Sequence, residues 1–130
     1  MIFAFDLDGT LDVPAIGKLA RHLIMCGHDV HIITACFPES GGWQDEDAKR
    51  AKLKRLGIPA TMTQTANNAQ LHILQATNVN SPIMDRLREL GLQKGALCEQ
   101  LGVGVIFDDS PTFCEMIPRM NGHVTVLRVM

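Results

Sequence analysis

The chain has no long hydrophobic run. None of its apolar stretches approaches the roughly 20 residues that a membrane-spanning helix needs, so no membrane partner is expected. It also lacks an excess of either charge. Its 12 Lys and Arg stand against 14 Asp and Glu, for a net charge of -2. Acids and bases are interspersed, so there is no basic face and no strong nucleic-acid signal. No basic stretch precedes the first apolar run, so no secretory signal is expected. Cys26, Cys36, Cys98 and Cys114 lack the close spacing of a zinc site. They read as reduced thiols of a cytoplasmic protein. The histidines, His22, His28, His31, His72 and His123, also lack metal-ligand spacing. There is no internal repeat and no low-complexity tract. What remains is one domain over residues 1–130, with 46% hydrophobic residues to build its core.

The organising stretch is Ile2 to Leu11, an apolar run that ends in Asp6-Leu7-Asp8-Gly9-Thr10. A short apolar run bounded by turn chemistry suits a buried strand of a parallel sheet. Asp6 and Asp8 fall where that strand should run out. Residues two apart on a strand point the same way. Two carboxylates so placed repel each other unless a cation neutralises them or one stays protonated.

Apolar spacing predicts a helix over Ala15 to Met25, ending at Gly27. Val30 to Ile33 reads as a second strand ending at Thr34. Phe37 to Asp47 is loop-like and carries Trp43, readable as a ligand contact or as a half-buried anchor. A helix is expected from about Asp45 to Leu56, with acids at its start and bases at its end. Ala60 to Gln64 and Leu71 to Gln75 can be two strands of a small β-hairpin insert, or one of them a lone third strand. Ser81-Pro82 opens a helix that stops at Gly91. A further helical segment runs from Lys94 to Leu101. Val103 to Phe107 is a strand ended by Asp108 and Asp109. Pro111 to Met120 is a helix and Val124 to Val129 a last strand. The fold class is therefore α/β, a three-layer α/β/α sandwich around a Rossmann-like, mostly parallel sheet.

Three of these strands end in polar residues: Asp6 and Asp8, then Thr34, then Asp108 and Asp109. In open α/β sheets ligands bind beyond the carboxyl ends of the strands, where strand order reverses. With the first strand central, these groups meet there, and Lys94 can reach the same crevice. Converging carboxylates without a metal would be costly. An all-oxygen set favours Mg²⁺, commonly bound by one or two carboxylates plus phosphate. Residue chemistry alone thus points to a metal-assisted phosphate site, and a carboxylate that forms an aspartyl-phosphate is known enzyme chemistry.

These residues resemble the haloacid dehalogenase-like superfamily of phosphohydrolases. Asp6-Leu7-Asp8-Gly9-Thr10-Leu11 is similar to its first motif. Thr34 after His31-Ile32-Ile33, Lys94, and Asp108-Asp109 after Gly104 to Phe107 are similar to the other three. The resemblance implies a Mg²⁺-dependent phosphomonoester hydrolase with a haloacid dehalogenase-like core of capless type. It makes Asp6 the catalytic nucleophile and Asp8 the general acid and base. Gly9 would give the sharp exit after the strand. Thr34 and Lys94 would bind phosphate. Mg²⁺ would be held by Asp6, the Asp8 carbonyl and Asp108, with Asp109 direct or through water. The expected partner is a phosphorylated small molecule or the phosphorylated end of a macromolecule. An open site also suits closure by a neighbouring subunit, hence a homo-oligomer.

Each residue has a plainer reading. Thr34 alone is a strand-end residue, and Lys94 alone a solvated helix residue, with Arg86 and Arg88 as basic rivals. Asp109 can instead cap the helix that follows. The competing function is a phosphate- or metal-binding module of the same fold, with weak or no turnover, that acts through protein partners.

Overall fold

The computed structural model describes residues 1–37, 46–76 and 80–130. Trp43 and Asp45 lie outside these residues. The elements in chain order are β1 (Phe3–Phe5), a helical turn (Leu7–Leu11), α1 (Pro14–Met25), β2 (Val30–Cys36), α2 (Glu46–Arg55) and β3 (Ala60–Thr61). They continue with β4 (Ala69–Gln75), α3 (Ile83–Leu101), β5 (Val105–Asp108), α4 (Pro111–Met120) and β6 (Thr125–Arg128).

The strands form one sheet in the order β3-β4-β2-β1-β5-β6, and every pairing among them is parallel. β1 is central, with Phe5 registered against Ile32 of β2 and Phe107 of β5. The chain fills one half of the sheet first and then returns to β5 on the other side of β1. Strand order reverses there, which opens a crevice beyond the ends of β1 and β5.

Side chains alternate along each strand, so the sheet needs cover on both faces. One core joins Phe5, Ile32 and Leu71 to Ala20 and Ile24 of α1 and Leu53 of α2. The other joins Ala4, Ile33 and Ile106 to Leu90 and Cys98 of α3 and Phe113 and Ile117 of α4. The α/β/α sandwich expected from the sequence is therefore observed.

Two local expectations are corrected. The hairpin option fails because β3 and β4 are parallel, with Ala60 opposite Ala69 and Thr61 opposite Gln70. The link between them folds back on itself: the Thr61 hydroxyl donates to the Thr63 carbonyl at 2.6 Å and Gln70 Nε2 to the Met62 carbonyl at 3.3 Å. The chain so re-enters in the same direction. The second correction concerns α3, which runs unbroken through Gly91 and Gly95. These glycines are close-approach sites, not terminators. A Cβ on Gly91 would sit 2.7 Å from Met116 Cβ, and one on Gly95 2.5 Å from the Ile117 carbonyl oxygen. The helix ends at Gly102, whose φ of 73° supplies the left-handed cap. Among the described residues no helix is long and apolar enough to cross a membrane.

Candidate metal and phosphate site

β1 delivers Asp6 to the crevice, where its amide donates to the Phe107 carbonyl at 2.8 Å. The chain must then leave the sheet at once. Gly9 makes this turn with φ 78°, a conformation that a side chain would strain. Its missing Cβ has a second use, since one there would collide with the Asp109 carboxylate. Thr10, fully buried, donates to Asp109 Oδ1 at 3.3 Å. Asp109 is thus tied to the turn. The capping role belongs to Ser110, whose Oγ accepts from the Phe113 amide at 3.2 Å.

Asp6, Asp108 and Asp109 each turn one carboxylate oxygen into a group in which all three lie within 4.8 Å of one another. Lys94 reaches this group from the middle of α3, not from a helix start. The closeness of α3 to α4 at Gly91 and Gly95 brings it in. Its ammonium donates to Asp6 Oδ1 at 3.0 Å and to Asp108 Oδ2 at 2.7 Å. It also stands 4.4 Å from the centre of the Phe113 ring. Lys94 and Asp108 are 0% exposed and Asp6 6%. The other oxygen of Asp108 accepts from the Ser110 amide at 2.9 Å.

Burial pushes the Asp6 carboxyl up to about 6, against the pull of Lys94. Burial also raises Asp108, again opposed by Lys94. Burial alone would lower Lys94, but Asp6 and Asp108 outweigh it and hold the ammonium above its usual range. Three carboxylates against one ammonium leave a formal charge of −2 in a site largely removed from water. A divalent cation would bring it to neutrality, and a hard cation such as Mg²⁺ fits an all-carboxylate donor set. The donor chemistry therefore fits the metal expected from the sequence.

Thr34 lies within β2, opposite Ile73. Its hydroxyl is buried and has no hydrogen-bond partner among the described residues. It lines a cavity of about 240 Å³ together with Asp6, Asp8, Phe37, Leu87 and Asp109. A larger cleft, of about 570 Å³, lies between α2 and β3 against Arg50, Leu53, Lys54 and Ile58. It contains none of these groups.

Asp8 stands apart. Its side chain turns away from the carboxylate cluster toward α2, where Lys49 Nζ approaches Oδ2 at 2.5 Å and Lys52 Nζ approaches Oδ1 at 2.8 Å. Burial would raise its pKa, but the hydrogen bonds from both lysines outweigh that and hold it below the usual range. Such a carboxyl is ionised at neutral pH and has no proton to give. These lysines are not singled out by the sequence. Their only signal was a spacing of three on α2, which puts them on one helix face.

No protein-family model matches the chain, and no curated protein matches it. Among solved structures it is similar to a protein from the universal stress protein family of Burkholderia pseudomallei. Identity is 13%, coverage 98% of this chain and 94% of that one, and the TM-score 0.47. A universal stress protein solved in complex with cAMP is similar at 14% identity, covering 98% and 95%, with a TM-score of 0.49. At these identities and TM-scores the likeness assigns this chain no family and no role. The comparisons correct the family and the activity expected from the sequence. The structures they return are universal stress proteins, not haloacid dehalogenase-like phosphohydrolases, and nothing in them supports a phosphomonoester hydrolase with Asp6 as nucleophile.

Proposed function

We propose that the chain is a binding module for a divalent cation, Mg²⁺, and a phosphorylated small molecule, with little or no turnover. Asp6, Asp108 and Asp109 hold the cation, and Lys94 keeps two of them charged and in place. Mg²⁺ in such a site supplies charge that draws in phosphate oxygens. The observation that carries the reading is the Thr34 hydroxyl. A buried hydroxyl without a partner costs about 1–3 kcal/mol. Here it opens on the same small cavity as Asp6 and Asp109, where a phosphate oxygen would satisfy it. The lysine-bound state of Asp8 favours binding over turnover, because the two lysines hold this carboxyl ionised and turned away from the carboxylate cluster, with no proton to give a leaving group.

The test is methylphosphonate binding in saturating Mg²⁺, wild type against Thr34→Val. The variant is expected to bind about tenfold more weakly while folding as stably as wild type, since the native hydroxyl has no partner to lose among the described residues. Equal affinity in the two proteins contradicts the phosphate role of Thr34.

A further inference from the structure

We propose that the ligand carries two linked anionic groups, a diphosphate, and that Lys49 and Lys52 of α2 hold the second group. This rests on the phosphate reading of the first cavity. Asp8 lines that cavity and also a second one of about 410 Å³, whose other walls include Lys49, Lys52 and Arg55. The two cavities meet across one carboxylate and have opposite character. The first is acidic and suited to a cation, the second basic and suited to an anion.

Lys49 is the unusual residue. It is 2% exposed, on a helix otherwise rich in solvent-facing charge. Its ammonium turns inward to Asp8 and lies 3.4 Å from the Ala35 carbonyl, and Ala35 is a wall of the first cavity. A buried ammonium is costly to keep unless it is paired. The Asp8 side chain that pairs it is 47% exposed and can turn into water. A phosphoryl group entering the second cavity would replace it, presenting more oxygens and more charge to the same two ammonium groups. Lys52 keeps a second contact, to Asp12 Oδ2 at 2.9 Å, and so stays in place through the exchange. The shared wall lets one short ligand place an anionic group in each cavity.

Calorimetric titration of the full chain with methylenediphosphonate and with methylphosphonate, at one fixed free Mg²⁺ concentration, tests this. The diphosphonate is expected to bind at least about tenfold tighter in wild type, and Lys52→Gln to cut that ratio to about threefold or less. Lys49→Gln, with its fold checked by circular dichroism, is expected to do the same. A ratio near one in wild type, or a ratio that survives Lys52→Gln, overturns the second subsite and leaves the first intact. If neither phosphonate binds, the phosphate reading itself falls, and this inference with it.

Discussion

Lys94→Met gives the sharpest test of the site's electrostatics. Methionine nearly matches the lysine stem in length and flexibility, so the change removes the charge and little volume. The wild-type ammonium stands 3.0 Å from Asp6 and 2.7 Å from Asp108, and all three side chains are almost fully removed from water. Its loss strands two carboxylates beside each other, and breaking a buried ion pair in this way costs about 3–5 kcal/mol. That is a large share of the roughly 5–15 kcal/mol that holds a domain folded. Urea unfolding followed by far-ultraviolet circular dichroism, with a metal chelator present, measures it. The pH dependence has a definite sign. Without Lys94 the carboxyls of Asp6 and Asp108 rise further, and a group whose folded pKa is raised gains stability as pH falls. The deficit against wild type should therefore shrink between about pH 7.5 and about pH 5. Arg88→Met removes an exposed pair to Asp85, 3.4 Å long with both partners more than half exposed, and serves as control. It should cost less than about 0.5 kcal/mol. A Lys94→Met deficit below about 1 kcal/mol, or one that does not change with pH, would refute the reasoning.

Gly95→Ala is expected to destabilise by about 1–3 kcal/mol in the same assay, because the new methyl meets the Ile117 carbonyl at 2.5 Å and Met120 Cβ at 2.9 Å. Gly9→Ala places a methyl against the Asp109 carboxylate at a φ of 78°, so it should lower stability and Mg²⁺ affinity together, as titration calorimetry would show. His72 makes a pH prediction elsewhere in the sheet. Burial and the neighbouring His31, 3.0 Å away, lower its pKa to about 4. The unfolded chain takes up this proton near its ordinary pKa of about 6.5 and the folded chain only near 4, so stability is lost as pH falls through that window. Discounted for partial exposure, the loss from about pH 7 to about pH 5 is about 1 kcal/mol. Asp6, with its raised pKa, contributes with the opposite sign, so the comparison is made against His72→Gln, whose stability should fall less over the same range.

The convergence of Asp6, Thr34, Lys94, Asp108 and Asp109 on one crevice was legible in the sequence. Carboxylates at strand ends are read directly, and topology rules bring those ends together. The course of α3 was not. Gly91 looks like a stop signal in isolation, and only the packing of α4 against it shows that the missing side chain serves close approach. β3 and β4 were misread for a similar reason. Two short polar-flanked runs predict pairing, but strand direction depends on hydrogen bonds made by the link. Asp8 is the instructive case. A motif specifies which residue follows a strand, not where its side chain turns. That is decided by Lys49, which is 41 positions away. The expected family and hydrolytic activity rest on the resemblance of four short motifs, and such motifs do not report the partners that set a carboxyl's protonation state.

Manganese binding tests the central claim most directly. Mn²⁺ replaces Mg²⁺ in oxygen-ligand sites, and its paramagnetic resonance signal separates bound from free ion. Titration of the wild-type chain is predicted to show one bound Mn²⁺ that excess Mg²⁺ displaces. Asp108→Asn is predicted to weaken it by at least about tenfold, since one of the charged ligands becomes neutral. No bound ion in wild type, or equal affinity in Asp108→Asn, would contradict a metal site built on Asp6, Asp108 and Asp109.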